Sequence, residues 1–302
     1  MTLLAFLLVT VSAFTHAFWN FLGKRKNPQA AFFLMASIAS AVILSPLLVI
    51  FRDGLTAIPP AVWGLIAATG AVQALYYIFL AAAYRTGDLS HAYPLARSLP
   101  VVFVALISVL LGRGGQIQPL AYVGFAAVTA GCIFLPMPRF SDVHPRHYRH
   151  KWVLFAMLAA VCITGYTLLD DQSLRMLRSL PETPLTPLGW VLLFGELEAV
   201  SISLFFTIFL FSWGPERRAL MQARGPEWKT AALMGVIITA TYGLVLLAMA
   251  YVSNVSYVFA FRQLSIPIGA ALGMLVRKEA ATPPKLAGIA LVVLGLILAA
   301  VG

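Results

Sequence analysis

The chain is 302 residues long, 61% hydrophobic and only 11% charged, with a mean hydropathy of +0.89. That composition excludes an ordinary soluble domain and places the chain in a bilayer. The net charge of +10 raises nucleic acid as a partner, but the charges sit in short interhelical loops, which argues against such a surface and for an orientation signal.

A spanning helix needs about 20 mostly apolar residues. Ten such segments are predicted, near residues 2–22, 30–51, 60–84, 89–111, 118–137, 152–171, 188–213, 229–252, 255–276 and 285–301. The first is expected to be retained rather than cleaved as a secretory signal. It lacks a basic leader, and its apolar run continues through Trp19 into Lys24, Arg25 and Lys26. Ser12, His16, Trp19, Asn20 and Gly23 fall on one face of that helix, which either glues it to a neighbour or lines a cavity. Segment two has only Ser37, Ser40, Ser45 and Pro46 to interrupt it and suggests no function.

Segment three carries Gln73, Tyr76, Tyr77 and Tyr84 on one face. A buried tyrosine needs a partner for its hydroxyl, and three on a stripe with a glutamine predict an inward-facing surface. The stretch that follows, Tyr84 to Pro100, sets Pro94, Arg97 and Pro100 in the first half of segment four. A proline inside a helix frees the carbonyl four residues back, so Pro100 loosens that of Ala96 beside Arg97. The same design returns 167 residues later, where Tyr84, Ser98 and Pro100 align with Tyr251, Ser265 and Pro267, near a second intramembrane arginine, Arg262.

Segment five has Gly124 and Gly131, and segment ten has Gly288 and Gly295 at the same spacing. Small residues let helices approach closely in lipid. These two helices are therefore read as scaffold that packs its own repeat or forms a homodimer. The stretch 137–151, basic and rich in histidine, divides the chain. Residues 1–138 form a first five-helix repeat, 139–151 a cytoplasmic linker and 152–302 a second five-helix repeat. The linker histidines alternate with Arg and Lys and do not read as a metal site. Cys132 and Cys162 lie in apolar segments, so no disulfide is expected.

Segment six contains Thr164, Gly165, Tyr166 and Thr167 and ends in Asp170 and Asp171, both expected at the outer surface. Segment seven holds Glu196 and Glu198 about a third of the way in, where ionised carboxylates are costly. Two residues apart on a helix, they point in nearly opposite directions, so one is expected to be paired and the other to titrate. Segment eight contributes Thr239, Thr241, Tyr242 and Tyr251, and segment nine Ser256, Tyr257, Arg262, Gln263, Ser265 and Pro267. Arg97 and Arg262 balance Glu196 and Glu198 in charge.

With ten spans, one set of loops carries 15 of the 21 Lys and Arg, the other set carries 4 (Arg52, Arg113, Arg175, Arg178), and Arg97 and Arg262 lie within spans. The positive-inside rule puts the fifteen in the cytoplasm and both termini on the other side of a cytoplasmic (inner) membrane. Five spans per half is an odd number, so the halves enter the membrane in opposite senses. Inverted repeats of this kind place a substrate site near the midplane and work by alternating access. No Walker A loop, Ser-His-Asp arrangement, two-metal site or cofactor motif is present.

Three stretches carry a family resemblance: THAFWNFLGK at 15–24, AYRTGDLSHAYPLARSLP at 83–100, and NVSYVFAFRQLSIP at 254–267. With the duplicated plan, they make the chain resemble the EamA family of the drug/metabolite transporter superfamily over nearly its whole length. The resemblance implies an all-α membrane protein of ten helices in two inverted five-helix repeats. It further implies a secondary transporter, often an exporter of amino acids, other small metabolites or toxic amphiphiles, with helices 5 and 10 peripheral. Many relatives keep both termini in the cytoplasm, the reverse of the orientation read here.

The residues expected to line the substrate path are His16, Trp19, Asn20, Gln73, Tyr76, Tyr77, Arg97, Tyr166, Tyr242 and Arg262. The arginines would hold a carboxylate or phosphonate through forked hydrogen bonds, and the aromatic faces the remaining body or a cationic amine. Pro94, Pro100 and Pro267 are the hinge candidates, and Glu196 or Glu198 the candidate proton carrier. Two alternatives stand beside transport: a lipid-modifying enzyme using His16 or His91 with Asp88, and a passive channel.

Overall fold

The computed structural model describes residues 1–23, 30–86, 89–135, 137–142, 150–212, 214–222, 225–278 and 280–301, without the side chains of 18–23, 84, 89–95, 142, 214–216, 219, 225 and 277. Trp19, Asn20, Tyr84, the Pro94 ring, Asp88, His91 and linker residues 143–149 therefore lie outside the described residues.

Among the described residues the regular structure is entirely helical: α1 (Leu3–Gly23), α2 (Ala30–Leu44), α3 (Pro46–Ile50), α4 (Arg52–Ala57), α5 (Pro60–Thr86), α6 (Leu89–Ser108), α7 (Pro119–Phe134), α8 (Lys151–Arg178), α9 (Pro187–Phe211), α10 (Gly214–Gln222), α11 (Gly225–Ala248), α12 (Val255–Arg262), α13 (Ser265–Arg277) and α14 (Pro283–Val301). Eight segments of the described chain are long and apolar enough to cross a membrane, namely Ala30–Ile50, Pro60–Ala83, Ala96–Gln116, Lys151–Arg178, Pro187–Phe211, Pro226–Tyr251, Val255–Val276 and Pro283–Val301. The other two expected segments are shorter apolar helices, Leu3–Ala17 and Pro119–Phe134. Local chemistry sets the ends: Pro187 opens α9 behind the Thr186 cap, whose hydroxyl accepts from the Gly189 amide, and Asn254 caps α12 by accepting from Ser256.

The two buried prolines act differently. α6 runs unbroken through Pro100, whereas the ninth segment divides at Gln263 and Leu264 into α12 and α13. Pro267 has no N–H for the Gln263 carbonyl, and that carbonyl accepts instead from Ile266 in a tighter turn (2.9 Å).

Packing runs chiefly between the two halves of the chain and is reciprocal. α5 lies on α8 and α9, while α11 lies on α1 and α2; α6 lies on α8, while α12 and α13 lie on α1; α7 pairs with α14. In that last seam Gly124 meets the backbone of Gly295 and Gly131 that of Gly288, so the helices are antiparallel, and a Cβ on Gly131 would stand 2.7 Å from the Gly288 carbonyl oxygen. The expectation that these glycines pack each helix against its own repeat is corrected: they join the two halves, where the antiparallel partner brings both pairs into register. A second reciprocal pair follows the same rule. A side chain on Gly70 of α5 would overlap Ser201 of α9, and one on Gly235 of α11 would overlap Ser40 and the Ala36 carbonyl of α2.

Alternate loops sort to opposite ends of the bundle. Thr2 donates to the Tyr251 carbonyl (3.0 Å) and Ser253 to that of Gln116 (3.3 Å) at one end, while Thr282 donates to Met137 (3.1 Å) at the other.

Candidate functional site

The site grows from the middle of α5. With a rise of about 1.5 Å per residue, Gln73 stands roughly 20 Å along α5, and Glu198 roughly 17 Å along α9. Gln73 donates through Nε2 to the Glu198 carboxylate. One turn earlier on α5, the Thr69 hydroxyl donates to Asp170 Oδ1 of α8 at 2.6 Å. The other Asp170 oxygen accepts from the Tyr242 hydroxyl of α11 at 2.5 Å. Asp170 and Glu198 act electrostatically on one another. Four helices from both halves thus meet at two carboxyl groups, with Asp170 0% and Glu198 4% exposed.

Placing Asp170 here corrects the expectation that it lies at the outer surface. α8 continues through Arg178, about two turns beyond the predicted end. Asp171 is fully buried as well, because Arg113 (3.2 Å) and Arg175 (2.8 Å) pair with it. The expected balance of two arginines against two glutamates changes accordingly. Around the site the carboxyls of Asp170 and Glu198 stand with the two guanidiniums of Arg97 and Arg262, while Asp171 pairs with Arg113 and Arg175.

A ladder of rings leads from the carboxyls. Tyr242 meets Tyr166 edge-on (5.9 Å between centroids), Tyr166 meets Tyr76 (5.9 Å), Tyr76 lies against Tyr77 (4.9 Å), and Tyr77 stacks on Phe33 (4.8 Å) and Phe206 (5.9 Å). The Arg262 guanidinium lies over the Tyr242 ring at 5.1 Å and the Phe259 ring at 5.3 Å, within cation–π range. On the other flank, Arg97 Nη1 bonds His16 Nε2 at 2.8 Å. A guanidinium only donates, so His16 accepts there with a ring lone pair. Both arginines act electrostatically on His16 and Tyr166, which puts them around one centre.

These features match a known class. Residues 150–301 match the EamA-like transporter family, just over half of the chain. The chain belongs to that family. A solved crystal structure of another protein shares the fold over 98% of each chain, with a TM-score of 0.67 at 16% identity, so the likeness in fold extends through the first half as well. No curated protein matches the sequence. The chain is therefore a multi-pass membrane protein of a transporter family.

Of the predicted residues, His16, Gln73, Tyr76, Tyr77, Arg97, Tyr166, Tyr242 and Arg262 come together in this family member, while Trp19 and Asn20 fall outside the described side chains. Glu198 joins the cluster; Glu196 is fully buried, and both its carboxyl oxygens lack a hydrogen-bond partner among the described residues. Sequence reasoning missed Thr69 and Asp170. A usable signal existed: Asp170 is one turn beyond Tyr166 and Thr69 one turn before Gln73, each on the face already singled out.

Proposed function

We propose that the chain is a secondary active transporter that moves a small zwitterionic metabolite, such as an amino acid or a close relative, by alternating access, with export as its direction. The observation that carries this reading is the charge inventory of the buried cluster. Two carboxyls, Asp170 and Glu198, stand there with two guanidiniums, Arg97 and Arg262, so a zwitterion finds a partner for each of its ends, and a charge without a partner in a bilayer is costly. A proton shared by Asp170 and Glu198 relieves the repulsion of these two neighbouring carboxyls in the empty site; the ammonium group of a zwitterion takes that place in the loaded one. Substrate and proton then exchange, which is antiport. Arg97 and Arg262 receive the substrate carboxylate, and the ring ladder from Tyr242 to Tyr77 receives its apolar body.

The reciprocal packing of the halves supports rocking of one repeat against the other, about the division proposed here at residues 139–151. The 15-to-4 charge asymmetry supports a cytoplasmic membrane with both termini outside. The decisive experiment is ligand-dependent thermal stability of the purified protein across amino acids, amines, phosphonates and hydrophobic cations, repeated with Arg97→Ala. A ligand that binds the folded state alone raises stability saturably. Stabilisation by zwitterions that disappears in Arg97→Ala supports the assignment; equal stabilisation of both proteins refutes it. Accumulation of that ligand against its gradient in proteoliposomes separates a transporter from a channel.

A further inference from the structure

Beyond the site, the structure holds a second polar assembly, at the end of the bundle that carries the N-terminus. α6 stops at Ser108 and continues as a wider turn, Val109–Arg113, in which Gly112 adopts a left-handed conformation (φ +74°) that a residue with a side chain enters only with strain. That turn swings Arg113 back against α8. Arg113 Nη1 donates to Asp171 Oδ2 at 3.2 Å and Nη2 to Gln172 Oε1 at 2.6 Å. Arg175 Nε donates to the same Asp171 oxygen at 2.8 Å, and Arg178 lies within electrostatic reach.

The segment is held on its other side by α12. The Asn254 amide donates to the Arg113 carbonyl (3.4 Å) and to Gln116 Oε1 (3.5 Å), and its carbonyl oxygen accepts from Ser108 (3.4 Å). The stretch from Ser108 to Gln116, part of the first half, thus clasps two helices of the second. A transporter that alternates must release such a clasp whenever this mouth opens.

We propose that Arg113 with Asp171 and Gln172 is the gate at this mouth, and that the adjacent carboxyls Asp170 and Asp171 connect it to the site. The proposal rests on the transport reading above. Asp170 holds α8 to Thr69 and Tyr242; the next residue holds it to Arg113. When the ammonium group of a substrate replaces the shared proton at the Asp170 carboxylate, those two bonds loosen, α8 shifts, and Asp171 leaves Arg113. The second half then moves away from the Ser108–Gln116 segment, whose remaining hold on Asn254 is through polar contacts of 3.4–3.5 Å.

The test reads accessibility and needs no substrate, so it stands or falls apart from the transport reading. Cys132 and Cys162, both buried, are replaced by Ser. A single cysteine is then introduced in place of Thr167, a buried residue one turn from Asp170, or of Glu182, an exposed residue in the loop after α8. A membrane-impermeant thiol reagent is applied to sealed vesicles of either orientation, and labelling of Glu182→Cys identifies the face on which the gate lies.

With Arg113→Gln or Asp171→Asn, labelling of Thr167→Cys rises about tenfold from that face, the factor that accompanies loss of about 1.4 kcal/mol, and does not rise from the other. Arg113→Lys keeps the charge but loses the fork and gives an intermediate rate. Tyr242→Phe, which removes a bond to Asp170 and touches no gate residue, raises labelling as well. Unchanged labelling in the Arg113 and Asp171 variants, or an equal rise from both faces, overturns the gate; an unchanged rate in Tyr242→Phe overturns its connection to the site. Should Asp171→Asn not fold, Arg113→Gln decides alone, since Arg113 is part-exposed.

Discussion

Tyr242→Phe isolates one bond of the site. The phenylalanine ring keeps the contacts to Tyr166 at 5.9 Å and to Arg262 at 5.1 Å and loses only the hydroxyl that donates to Asp170 at 2.5 Å. Asp170 Oδ2 is left buried without that donor, while Oδ1 keeps Thr69 at 2.6 Å. A hydrogen bond to a charged group contributes about 1.5–3 kcal/mol, and an orphaned buried acceptor costs a similar amount, so a loss of about 2 kcal/mol is expected. At about 2 cal/mol/K per residue, unfolding a chain of this length carries roughly 0.6 kcal/mol/K of entropy, and the midpoint falls by about 3 °C. The assay is thermal unfolding of four purified proteins: parent, Tyr242→Phe, Asp170→Asn and the double variant. If the bond is as described, the double variant is less destabilised than the sum of the singles by about 2 kcal/mol. Additivity within about 0.5 kcal/mol refutes the reasoning.

Glu196→Leu should raise thermal stability by about 1 kcal/mol or more, because it removes buried oxygens that have no described partner; a lower midpoint would reveal a partner for Glu196. Glu198→Gln should abolish accumulation driven by a pH gradient in proteoliposomes while leaving zwitterion binding measurable, and unchanged accumulation would remove Glu198 from coupling. Gly131→Leu should destabilise by roughly 1–3 kcal/mol as its side chain meets the α14 backbone. Gly64→Ala, with open space around the new Cβ, should stabilise by about 0.5–1 kcal/mol through helix propensity, and scanning calorimetry distinguishes the two.

Much of the cluster was legible in the sequence, because polar and aromatic residues at helical spacing stand out against an apolar background. Gln73, Tyr76, Tyr77, Arg97, Tyr166, Tyr242 and Arg262 were all found that way. Asp170 was hidden by hydropathy: the run Asp170–Asp171–Gln172 resembles the end of a span, and nothing local reveals that Arg113, a distant residue, pairs with Asp171 and lets the helix continue. Glu196 and Glu198 could not be told apart, since the distinction lies in Gln73 on another helix. Pro100 and Pro267 look equivalent in sequence, yet one sits in an unbroken helix and the other beside a division, where the Gln263 carbonyl is taken up by the Ile266 amide in a tighter turn. The glycine spacing was visible, but which helix it faced is a tertiary fact.

The seam between α7 and α14 has a consequence for how the chain can vary. Gly124 on Gly295 and Gly131 on Gly288 make an isologous contact, the self-complementary geometry by which two copies of one subunit form a dimer. In a dimer of identical subunits, every substitution appears on both sides of the axis. Covalent fusion lifts that constraint while keeping the joint. The chain uses this freedom: one side of the axis supplies Thr69, Gln73 and Arg97, and the other supplies Asp170, Glu198, Tyr242 and Arg262. A symmetric frame thereby encloses an asymmetric set of charges, which suits a molecule whose two ends differ in sign.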